Sequence, residues 1–100
     1  TMKKEKISHR IIGNSGPLMI SWTDKPKGDA VEDLSGNGVG FFSKDGEILA
    51  CEFDDVKSTD HQTLQFENYT VEIHVRNGKV TYKMVHIEKK PVKKKKRRAA

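Results

Sequence analysis

The segment from Tyr69 to Ile87 restricts the fold of this chain more than any other. At its centre stands Asn77-Gly78, a pair suited to a two-residue type I′ turn because both residues tolerate positive φ. Folding about that turn sets Arg76 against Lys79, Val75 against Val80, Ile73 against Tyr82 and Val71 against Met84. The large apolar residues then share one face. The other face pairs His74 with Thr81 and Glu72 with Lys83, the latter of opposite charge. A slip of one residue would scatter the apolar set over both faces, so turn chemistry and side-chain pattern specify the same register. Val85 and Ile87 fall on the polar face, which predicts that another element covers that end of the strand.

Asp45-Gly46 marks a second hairpin, entered by Val39 to Ser43 and left by Glu47 to Asp55. A two-residue loop would pair Phe42 with Leu49. A type I turn with Gly46 in a bulge would pair Phe42 with Ile48. The sequence leaves both open. Ile7 to Ile12 and Leu18 to Trp22 flank the turn cluster Gly13-Asn14-Ser15-Gly16-Pro17 and predict a third hairpin. Between Asp24 and Gly38 the pattern is irregular. Asp29 is expected to cap a short helical turn through Ala30 to Leu34, ended by Gly36. Thr63 to Phe66 reads as a short strand. Short strands with frequent turns predict an all-β, mainly antiparallel domain of five to seven strands, closed as a small barrel or packed as a sandwich. The expected division is a flexible N-terminus over residues 1–5, one β domain over 6–88, and a disordered polybasic tail over 89–100.

That tail carries the strongest functional signal. Eight of the ten residues from Lys89 to Arg98 are basic: Lys89, Lys90, Lys93, Lys94, Lys95, Lys96, Arg97 and Arg98. With no apolar face and no internal acidic partner the run is expected to stay solvated. From Ile11 to Glu88, by contrast, 7 basic residues stand against 13 acidic ones, a net of −6. The basic character therefore belongs to the ends. A folded nucleic-acid reader carries its Lys and Arg on the domain surface. Here the tail, aided by Lys3, Lys4, Lys6 and Arg10, is the expected contact with nucleic acid or another polyanion. It has no aromatic residue to stack on bases, so its contacts would be with phosphates, without sequence preference. The same run fits a nuclear-import signal, or an end that only solubilises.

The remaining motifs carry less chemistry. Gly36-Asn37-Gly38-Val39-Gly40 has a strand after it and no Lys-Ser or Lys-Thr pair, so it reads as a flexible lead into a strand and not as a phosphate loop. His9, His61, His74 and His86 are not spaced as ligands, and one cysteine cannot build a structural zinc site; no metal or cofactor is expected. Glu52, Asp54, Asp55, Asp60 and His61 lack the spacing of a calcium loop and read as a solvated acidic loop. Within it Asp54, Asp55 and Asp60 are candidate docking residues for a basic partner or for the tail. Cys51 alternates with Leu49 and Phe53 as a buried thiol would. Trp22 shares a face with Leu18 and Ile20, which favours core packing, with a partner platform as the alternative. A lone cysteine, no secretory signal and no apolar run of about 20 residues point to an intracellular, cytoplasmic or nuclear or nucleoid-associated protein without a membrane span. Together these features predict a non-enzymatic accessory protein. Its β domain would hold a protein partner or a second copy, and its tail would supply polyanion affinity, as in a viral or phage nucleoprotein accessory. The alternatives are a pure protein-interaction module and, from another class, a small enzyme or ligand-binding barrel.

Overall fold

A computed structural model describes residues 5–24 and 28–87. Eight strands follow one another in these residues, without a helix: β1 (Lys6–His9), β2 (Ser15–Ser21), β3 (Asp29–Glu32), β4 (Gly38–Phe42), β5 (Ile48–Lys57), β6 (Asp60–Gln65), β7 (Tyr69–Arg76) and β8 (Lys79–His86). They form an antiparallel five-stranded sheet of order β1-β2-β5-β4-β3 and an antiparallel three-stranded sheet of order β6-β7-β8. One hydrophobic cluster draws on both sheets: Leu18, Ile20 and Phe53 from the first pack with Leu64, Val71 and Ile73 from the second. No helix among the described residues is long and apolar enough to cross a membrane.

The β7–β8 register is the expected one, from Tyr69 against His86 to Arg76 against Lys79. Asn77 (φ 49°) and Gly78 (φ 81°) both adopt the left-handed conformation. Their amides reach the neighbouring β5–β6 turn: Asn77 N–H donates to Thr59 Oγ1 at 3.1 Å and Gly78 N–H to the Ser58 carbonyl at 2.8 Å. Asn77→Ala or Gly78→Ala is expected to lower stability by about 1 kcal/mol, since a Cβ without a compensating polar group is strained at positive φ. Denaturant unfolding of the two variants checks this, and unchanged midpoints would contradict it. Val85 and Ile87, expected to be covered, remain 46% and 42% exposed, because among the described residues nothing packs over the outer face of the β6-β7-β8 sheet at that end.

The β4–β5 hairpin takes the bulged alternative. Phe42 pairs with Ile48 after a register shift, and Gly46 sits at φ 84°. Ser43 secures the turn through its hydroxyl oxygen, which accepts from Asp45 N–H (3.2 Å) and Glu47 N–H (3.1 Å). In β2, Gly16 and Pro17 belong to the strand and not to the turn. Pro17 has no N–H to give to β5, and the ladder there breaks into a bulge between Gly16–Val56 and Leu18–Phe53.

The largest departure from expectation lies between Asp29 and Gly38. The segment Asp29–Glu32 is strand β3, paired with β4, and not a helical turn. The capping residue is Asp33, the one charged side chain buried among the described residues, at 4% exposure. Its Oδ2 accepts from Ser35 N–H (3.0 Å) and Asn37 N–H (3.2 Å), folding the loop back on itself. Its Oδ1 accepts from Gln65 N–H at the end of β6. Beside it Leu34 N–H donates to the Gln65 carbonyl at 3.0 Å. One carboxylate therefore closes the β3–β4 turn and ties the two sheets together. The glycines that follow form a close-packed strand. A Cβ on Gly38 would stand 2.1 Å from the Glu52 carbonyl oxygen, so only glycine lets β4 approach β5 there.

Candidate functional site

The outer face of the β6–β7 hairpin brings together two histidines and a glutamate. Leu64 on β6, with Val71, Ile73 and Val75 on β7, points into the core. Strand alternation then turns His61, Glu72 and His74 outward. The antiparallel register sets His61 directly opposite His74, with Glu72 two residues along the same face. The imidazoles stack with centroids 4.1 Å apart and planes 12° from parallel. Glu72 Oε2 lies 2.6 Å from His61 Nε2 and 3.4 Å from His74 Nε2. Lys83 stands opposite Glu72 in register, as expected, but the carboxylate is held by the two imidazoles.

The hydrogen bond from His61, together with attraction to both imidazoles, lowers the Glu72 pKa and favours its ionised form. Asp60, at the start of β6, is lowered as well, first by the Lys57 N–H it accepts. Carboxyls lowered in the folded state add stability above their ordinary titration range, and that stability disappears as pH falls through the lowered values. His61 and His74 rim a shallow depression, open to solvent, that extends over Arg76, Asn77 and Lys79. Open water around the triad suits capture of an ion better than enclosure of a reacting substrate.

Sequence spacing suggested that no two histidines approach each other. The β6–β7 register overturns that expectation. The signal lay in the alternation of Leu64 and Phe66 with His61, Thr63 and Gln65. Combined with a turn at Glu67-Asn68, it places His61 across from His74.

The acidic stretch is strand and not loop: Glu52, Asp54 and Asp55 lie in β5, and Asp60 opens β6. The bulge opposite Pro17 exposes Asp54 and Asp55 together. Asp55 accepts the Ser15 hydroxyl. Asp60 turns inward to its own chain, its oxygens accepting from Lys57 N–H (3.0 Å), His61 N–H (2.8 Å) and the Gln62 amide (3.1 Å). The three carboxylates are thus not equivalent: two face solvent and one caps a turn. Trp22 is half-buried at the edge of the core. Its indole N–H donates to Tyr82 Oη at 2.9 Å and its ring meets the Tyr82 ring edge-on at 5.7 Å, joining the first sheet to β8. Cys51 is fully buried, and burial pushes its pKa up to about 12, leaving an inert neutral thiol. The basic residues Lys89, Lys90, Lys93 to Lys96, Arg97 and Arg98 lie outside the described residues. No family model matches the chain, and no curated protein or solved structure is significantly similar to it.

Proposed function

We propose that this chain is a non-enzymatic accessory protein. Its β domain associates with a protein partner or a second copy, and its C-terminal basic run adds affinity for nucleic acid or another polyanion. The observation that carries the reading is the separation of charge along the chain: eight basic residues among the ten from Lys89 to Arg98, against a net of −6 from Ile11 to Glu88. Release of counterions from a polyanion favours the first segment as the contact and disfavours the second. Two features support association by the β domain. Met84 and Val85 on β8, and Ile87 just after it, are exposed, and β8 ends its sheet among the described residues. Such an edge offers unpaired backbone groups beside apolar side chains, the elements of strand addition.

The test compares the full chain with one ending at Glu88, titrated into duplex DNA and single-stranded RNA. Six phosphate contacts from Lys93 to Arg98 predict a log-log salt slope of about −5 on duplex DNA, a loss of roughly a thousandfold between about 50 and 200 mM salt. The shortened chain is expected not to bind. A flat salt response, or equal binding by both chains, would remove the basic run from the mechanism.

A further inference from the structure

We propose that His61, Glu72 and His74 bind one divalent transition-metal ion of the zinc, copper, nickel or cobalt class, a site separate from the basic run. The three ligand atoms, two imidazole nitrogens and one carboxylate oxygen, all lie within 4.8 Å of one another. Around a tetrahedral ion with bonds of about 2.0–2.1 Å, ligand atoms stand about 3.3 Å apart. The His74–Glu72 separation of 3.4 Å already meets that spacing. The 2.6 Å contact between His61 and Glu72 is a hydrogen bond that must open by less than an ångström, and the two stacked imidazoles must turn out of parallel so that both nitrogen lone pairs converge on the ion. Side chains of His61 and His74 that are 54% and 61% exposed make this adjustment by rotation, while the paired strands hold their backbones in place.

The donor set decides the class of ion. Two imidazoles and one carboxylate suit borderline cations, whereas calcium and magnesium require oxygen ligands. A metal would take the place of the hydrogen bond between His61 and Glu72, since each ligand atom must offer a lone pair to the ion. Water fills the remaining coordination position, which faces the open depression. The charged neighbours are Lys83 across from Glu72, Arg76 and Lys79 at the hairpin end, and Asp60 beside His61. Three cations against one carboxylate reduce the affinity but leave the ligands in place.

The experiment uses the full chain, stripped with a chelator and titrated with zinc by calorimetry and with cobalt by visible absorption. One equivalent is expected to bind. His61→Asn, Glu72→Gln and His74→Asn are each expected to weaken binding roughly tenfold or more, because losing even an outer partner of a metal ligand costs that much. His86→Asn, on the opposite face of the sheet, is expected to bind as the parent does. In the unmutated chain, zinc is expected to shift the ring proton resonances of His61 and His74 and to leave those of His9 and His86 in place. This readout holds even where a variant folds poorly. Absence of saturable uptake would overturn the proposal. So would uptake that survives all three substitutions, or ring shifts confined to His9 and His86.

Discussion

Asp33→Ala is expected to cost about 3 kcal/mol of unfolding free energy. The carboxylate is 4% exposed and accepts three backbone N–H groups, from Ser35, Asn37 and Gln65. Hydrogen bonds to a charged group contribute about 1.5–3 kcal/mol each, and the alanine variant also leaves the donors facing a void. Relaxation of the Ser35 and Asn37 amides toward water offsets part of the sum. Asp33→Asn keeps the shape but turns an N–H₂ group toward N–H donors, so it is expected to lose about 2 kcal/mol and not to rescue the fold. Urea unfolding of both variants measures this. A loss below about 1 kcal/mol in the alanine variant would show that the loop re-forms without its cap. Small domains have only about 5–15 kcal/mol in hand, so the expected loss is a large share of the total.

A larger effect is expected at Phe53. This ring is fully buried on β5, the strand between β2 and β4, and belongs to the cluster that joins the two sheets. Phe53→Ala removes most of the ring and leaves a cavity that flanking strands cannot collapse into, at a cost of about 4 kcal/mol. Phe41, half-buried on β4 and outside that cluster, is the control: Phe41→Ala is expected to lose less than half as much. Equal losses at both positions would mean that the shared core is not where the stability lies.

The sequence reveals what local chemistry decides. Asn77-Gly78 and the alternation around it give the β7–β8 register in full, because turn and pairing lie within one short segment. Asp45-Gly46 gives the β4–β5 hairpin but not its bulge, since Gly46 serves either turn. Strand β3 is illegible for a physical reason: all four of its residues are exposed, so no apolar alternation separates it from a loop. Asp33 is missed because its most distant partner, Gln65, comes from the other sheet. Half of the candidate site is legible, since the β7 alternation puts Glu72 and His74 on one face. The other half is not, because His61 joins them only through the β6–β7 register, where Glu67-Asn68 is a weaker turn signal than Asn77-Gly78.

The order of strands in the larger sheet has a consequence for how the chain is made. Strand β2 is followed in sequence by β3 and β4, yet its partner in space is β5. During N-to-C synthesis the β1–β2 hairpin therefore emerges well before the strand that completes it. Until Ile48–Lys57 has left the ribosome, Leu18 and Ile20 lack their apolar cover and β2 keeps an open backbone edge. Non-local pairing of this kind is slow, because the intervening loop must close before any contact offsets its lost entropy. During that interval the β1–β2 hairpin carries uncovered apolar side chains and an open strand edge, the features that make nascent chains prone to aggregate.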